Sequence, residues 1–397
     1  MRQSAPIRLA GASWTWGLVY LCLFAYRSGV SIFGESIIRR ATSIGDTGTY
    51  QTGVVTPSYQ QTAALLREDL FFALSDLHGG GISTILTIYI GGVFNKLLFG
   101  NPFLINIGFQ SITFVGLVYL LQSVAPAVRL RLLLLMMLPS FTVWTSIASK
   151  EAIVAGAVAV LVGYFIRMYN GQLVPRVHHI LAALVLFLFK PHYGVAFAYG
   201  IGTTFICLHA SKKALTALLI GMGSLWGLFI LKDFAVRFAF LVQNAFIVEI
   251  VAGSEVWGTR STRTEVFFSE DADLFLKAPE GIFKAFFGPS ISEITTSTLH
   301  LVTFLEGAAL AGVLLYIGLR ALSKLPIYNF IVAFFMSFWI LFPNYPFGVM
   351  NSGAAIRYRS GWVLIVIVLI AVFLSRSIYT RWIEFSPKLA KSGRPKI

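Results

Sequence analysis

Ten apolar stretches recur along the chain, at about 12–33, 103–123, 130–147, 152–166, 177–190, 193–210, 214–231, 299–319, 326–343 and 361–378. At ~1.5 Å per helical residue, most approach the ~30 Å of a bilayer's hydrocarbon core. A backbone in hydrocarbon must satisfy its own hydrogen bonds, which leaves helices for segments of this kind. The pattern predicts an all-α, polytopic integral membrane protein with about ten transmembrane helices. Composition agrees. Of 397 residues, 57% are hydrophobic and only 12% are charged, against about a quarter charged in a soluble domain. A soluble core cannot hide that much apolar surface. This excludes a cytosolic enzyme, a secreted domain and a disordered chain. Cys22 and Cys207 lie in apolar runs and offer neither a disulfide framework nor metal-ligand spacing.

The charges orient the expected spans. With the N-terminus inside, 16 of the 31 basic residues fall in inside segments, from Arg2 and Arg8 through Arg129, Arg167, Lys212 and Arg320 to the tail. Only one of the 17 acidic residues, Glu384, joins them. That asymmetry is the positive-inside pattern. The net charge of +14 thus records orientation and calls for no nucleic-acid partner. Both termini are expected in the cytoplasm, with residues 1–378 as one transmembrane domain. The basic tail 379–397 would touch anionic membrane lipids. The assignment turns on residues 177–210, where Pro191 is expected to divide one long stretch into two short helices meeting at Lys190 to His192.

Two long outside loops follow, 34–102 and 232–298. Interfacial helices are expected in both. Residues 62–77, with Arg67, Glu68, Asp69 and Asp76, read as a surface helix. Residues 82–99 read as re-entrant or interfacial. Arg27 and Glu306 are the charges deepest in spans, and the cost of isolated charges there predicts a pair or a shared polar site.

The out-of-place polar groups gather on the outer face. Asp46, in Gly45-Asp46-Thr47-Gly48, is placed to take a proton from a sugar hydroxyl, or to cap a helix. Lys150 and Glu151 end a Pro139-Ser140-Phe141-Thr142-Val143-Trp144-Thr145-Ser146 hairpin. They serve as a catalytic or phosphate-binding pair, or only mark the interface. Arg357 and Arg359, read in an extended segment, would point to one side and clamp a diphosphate. The alternative is snorkelling to headgroups. Arg260 and Arg263 carry a weaker version of the same signal. Lys190 and His192 flank Pro191 as a further phosphate site, or only cap a short helix. Asp271-Ala272-Asp273 is a short pattern able to hold a divalent ion, but no metal is assigned and no cofactor is expected.

Three of these segments together resemble bacterial polysaccharide-assembly membrane proteins: the early outer-loop aspartate, the Pro-Ser-x-x-x-Trp-x-Ser hairpin ending in Lys-Glu, and Gly353-Ala354-Ala355-Ile356-Arg357-Tyr358-Arg359 before the last span. The chain is similar to the GT-C glycosyltransferases and the related O-antigen polymerases. The resemblance implies action on polyprenyl-phosphate- or polyprenyl-diphosphate-linked saccharides at the periplasmic side of the bacterial inner membrane. It also implies a chain-length regulator membrane protein as partner. Asp46 matches the first-loop catalytic aspartate of GT-C enzymes, and the loop arginines match the arginine dependence of polymerases. Thr47 stands where many GT-C enzymes carry a second acid, and no large C-terminal periplasmic domain is present. These departures favour a repeat-unit polymerase over a single-sugar GT-C transferase. A lipid-linked sugar transporter or flippase, and a structural subunit, are the competing classes.

Overall fold

A computed structural model describes residues 13–41, 45–55, 60, 64, 81–124, 126–169, 174–256, 263, 266–295, 298–322, 326–350, 355, 357 and 359. Among these the regular structure is entirely helical. The helices are α1 (Ser13–Ala41), α2 (Gly45–Thr52), α3 (Gly81–Leu97), α4 (Pro102–Ser123), α5 (Pro126–Met136), α6 (Pro139–Trp144), α7 (Lys150–Tyr169) and α8 (Val177–Phe189). They continue as α9 (Pro191–His209), α10 (Lys213–Ile230), α11 (Lys232–Val256), α12 (Asp273–Leu276), α13 (Ala278–Phe287), α14 (Thr298–Leu322), α15 (Ile327–Leu341) and α16 (Tyr345–Met350).

Five of these contain segments long and apolar enough to cross a membrane: Trp16–Gly34, Pro102–Ser123, Lys150–Met168, Lys213–Ile230 and His300–Leu319. Helices α3, α8 and α15 are apolar but shorter. The expected stretch at 130–147 is not one helix. It is divided into α5 and α6, because Pro139 cannot continue the hydrogen bonding of α5 and instead opens α6 in its first turn. The expected division at Lys190 is present. Lys190 takes φ −147° and ψ 80°, ending α8, and Pro191 begins α9. The stretch expected at 361–378 and the surface helix expected at 62–77 lie outside the described residues, apart from the single position 64. The second loop helix is α3, which packs on α4, α7 and α8 rather than lying apart from them.

Helices α4 and α7 form the most extensive helix pair, and they run parallel. Thr113 meets Ala152 and Ser123 meets Arg167, so the offset stays near constant along both. Parallel neighbours need a return crossing between them, and α5 with α6 supplies it. Close approach depends on Gly116 and Gly156. A Cβ on Gly116 would stand 2.2 Å from the Gly156 carbonyl oxygen. Helix α8 runs antiparallel to α7, pairing Tyr164 with His179 and Glu151 with Lys190. A second group joins α9, α10 and α15. Cys207, Ala217, Tyr328 and Val332 pack at one end of it, and Trp339 donates to Ser224 Oγ at 3.1 Å further along. Helix α2 docks on α3 so closely that a Cβ on Gly91 would sit 1.7 Å from the Tyr50 carbonyl oxygen; only glycine fits there.

Candidate functional site

The register of α4 and α7 sets the depth of the site. Helix α7 begins beside the middle of α4, because the Thr113 hydroxyl bonds the Ala152 carbonyl at 2.6 Å. Glu151 therefore lies roughly 15 Å below the Pro102 end of α4 by helix rise. Helix α8, with 13 residues, covers about 20 Å before Lys190. The charges of this region thus lie below the level reached by α4.

Three side chains meet there. Arg357 Nη2 donates to Glu151 Oε2 at 3.0 Å. Arg357 Nε lies 2.9 Å from Oε1, close enough for the ion pair but not aligned as a hydrogen bond. Lys190 Nζ is 3.7 Å from the same Oε1. The Glu151 side chain is 3% exposed and that of Lys190 10%, while Arg357 keeps 24%. Arg357 also lies over the Trp144 ring, 5.6 Å from its centroid. Lys150 adjoins the cluster, and Lys190 stands over the Tyr193 ring at 5.5 Å. His192 lies at the same level, beside Asn344. Among the described residues, one carboxylate thus faces a guanidinium and two ammonium groups, and Arg357 is more open to a ligand than Glu151 or Lys190.

Below the cluster, the α6 motif is held from several sides. Arg27 is fully buried and donates through Nη2 to the Thr145 carbonyl at 2.7 Å and to Thr145 Oγ1 at 2.9 Å. The Thr113 hydroxyl also meets the Thr145 carbonyl, at 2.9 Å. Glu306 accepts from Ser140 at the opposite end of α6. Arg27 and Glu306 therefore do not pair. Each finds its hydrogen bonds on α6 or the turn that follows it, which is closer than the other's charge.

The remaining candidates part company. Residues 355, 357 and 359 are helical, not extended. Two positions along a helix are about 200° apart, so Arg357 and Arg359 cannot face one ligand together. Arg359 is fully buried instead, donating to the carbonyls of Phe286, Gly288 and Thr303. It joins α13, the turn after it and α14, and contributes nothing to a clamp beside Arg357. Arg263 is likewise buried. It grips Glu293 through Nε at 2.9 Å and Nη2 at 3.1 Å, and also reaches the Gly348 carbonyl. Asp273 accepts from the amides of Ser269 and Glu270 and from Lys277 Nζ, at 2.7, 3.2 and 2.9 Å. The Ser269 amide and the Lys277 ammonium hold its carboxyl below its ordinary pKa. With both amides and the ammonium on it, Asp273 caps a turn and is not set out as an ion ligand. No group of three or more metal-ligating side chains occurs among the described residues. Asp46 belongs to the first turn of α2, and its side chain lies outside the described residues, as does Arg260.

Sequence reasoning missed Thr113 and Glu293, and it marked the hairpin holding Ser140 and Thr145 without their partners, because each acts through a residue far along the chain. No family model, curated protein or solved structure matches this chain.

Proposed function

We propose that this chain is a glycosyltransferase of a bacterial inner membrane, working at the periplasmic face on polyprenyl-diphosphate-linked saccharides, as a repeat-unit polymerase. The reading includes about ten spans with both termini cytoplasmic. One observation carries it: a largely buried cluster in which, among the described residues, Arg357 and Lys190 both meet Glu151, bordered by Trp144 and Tyr193. Transfer from a lipid diphosphate needs positive charge where the leaving group develops negative charge. Arg357 is the group best placed to supply it, with Lys190 and Lys150 behind it. Glu151 orients these cations, since its oxygens face Arg357 and Lys190. Asp46 is the proposed base that takes the proton of the acceptor hydroxyl as the new glycosidic bond forms and the diphosphate departs. The two aromatic rings offer faces on which sugars stack.

A second reading is a carrier of lipid-linked sugars. The interruptions at Leu138 and Lys190 favour it, because transporters build their sites on broken helices. Incubating the purified protein with a polyprenyl-diphosphate oligosaccharide separates the two. Longer lipid-linked glycans support polymerisation. Movement of the lipid across vesicles without a longer product supports the carrier. With Cys22 and Cys207 removed, a single cysteine near Lys212 that an impermeant reagent labels in intact cells overturns the orientation.

A further inference from the structure

A second cluster of polar and basic groups lies at the end of α4, α7 and α8 away from Glu151. His179 is its buried centre. Its Nδ1 accepts the Arg176 amide at 2.9 Å, and its Nε2 lies 2.5 Å from the Tyr119 hydroxyl. The tautomer follows. A ring nitrogen that accepts an amide carries no proton, so the proton is on Nε2 and is given to Tyr119. The Tyr119 hydroxyl then keeps its own hydrogen to donate elsewhere. Arg167 covers the Tyr119 ring at 4.4 Å and spends only Nε, on Ser123 Oγ at 2.9 Å. Its two terminal nitrogens make no hydrogen bond among the described residues. Arg176 and His178 are exposed at the same end.

Among the described residues, no acidic side chain pairs with these groups. No acidic residue occurs anywhere between Glu151 and Asp233 in the sequence. The flank of the cluster is apolar and exposed: Val174, Val177, Ile180 and Leu181 are 53–76% open. On a helix of this composition such a face belongs against acyl chains. Donors and cations beside an acyl-facing surface match one chemistry, a phosphate carried on a lipid.

We propose that Arg167, Arg176, His178 and the Tyr119 hydroxyl form a binding site for the headgroup phosphate of an anionic lipid, with its acyl chains along Val177, Ile180 and Leu181. Arg167 supplies the fixed guanidinium. Arg176 and His178 close over the phosphate from the exposed side. This site is separate from the Glu151 cluster and does not depend on the proposed reaction.

The test uses the full chain in detergent, titrated with dioctanoyl phosphatidylglycerol and followed by thermal unfolding and direct binding. Phosphatidylglycerol should raise the midpoint, and dioctanoyl phosphatidylcholine should do so far less. The double variant Arg176→Gln/His178→Gln, which changes only exposed side chains, should weaken phosphatidylglycerol binding about tenfold. Neutralising Lys388, Lys391, Arg394 and Lys396 in the tail should leave that binding in place. Glycerol 3-phosphate binding as tightly as the lipid would reassign the site to soluble phosphates and overturn the lipid assignment. Equal effects of the two lipids, or undiminished binding by the double variant, would overturn the site itself.

Discussion

Glu306 accepts two hydrogen bonds from Ser140, the amide at 3.2 Å and the hydroxyl at 2.6 Å, across 166 residues of sequence. Ser140 is the second residue of α6, so α14 supplies the carboxylate that the first turn of α6 lacks in its own sequence. Glu306→Ala should destabilise the fold by about 1–3 kcal/mol, because a buried amide and hydroxyl lose their acceptor together. Ser140→Ala removes one bond and keeps the amide contact, so it should cost only about 1 kcal/mol. Reversible unfolding in detergent measures both, and equal costs would show that the amide contact contributes nothing.

The two arginines before residue 360 should answer differently to the same change. Arg357→Lys keeps a charge beside Glu151 but loses the planar fork. It should lower turnover by roughly 10²–10³ with a modest stability loss, by analogy with an oxyanion donor. Arg359→Lys leaves buried carbonyls without donors and should lower the unfolding midpoint first. Glycan length measured at matched expression, beside thermal unfolding, separates the two roles. Asp46→Asn should fold normally and abolish most product; near-normal glycan length from it would remove Asp46 as the base.

Gly116→Ala should disrupt the α4–α7 seam, since the new methyl meets the Gly156 backbone rather than a side chain that can move. A cost at or above the usual 1–3 kcal/mol of overpacking is expected. Gly223→Ala, where nothing lies within 4 Å, is the matched control and should be neutral or slightly stabilising.

Asp273 gives the loop before α12 a pH dependence. Its folded pKa is depressed, by the Ser269 amide first and by Lys277 next. Its contribution is therefore complete above the ordinary carboxylate value of about 4 and is lost as pH falls through the lower folded value. Hydrogen exchange at the Ser269 and Glu270 amides, corrected for intrinsic rates, should accelerate over that window. Asp273→Asn should show faster exchange already at neutral pH.

Hydropathy made α1, α4, α7, α10 and α14 legible, because a long apolar run in a chain this poor in charge has few other solutions. Pro191 made the break at Lys190 legible as well. The break at Leu138 was not, although Pro139 signalled it: a hydropathy average runs through a proline without registering the missing amide. The Glu151 cluster was legible in its parts, since Lys150-Glu151, Lys190 and Arg357 stood out as charges beside apolar runs. Its pairing was not. An extended segment was expected around Arg357 and Arg359, and helical backbone there sends Arg359 to α13 and α14 instead. The same limit applies to Glu306 and Ser140, whose match exists only once α6 and α14 are side by side.

Because α4 and α7 run parallel, their peptide dipoles add instead of cancelling. Both helices turn their positive ends toward the side on which Glu151 lies, and little mobile water separates such dipoles inside a bilayer. Part of the positive field over the Glu151 cluster is therefore written into the backbone. A variant stripped of Arg357 and Lys190 would retain that part, so a residual pull on anions should survive both changes.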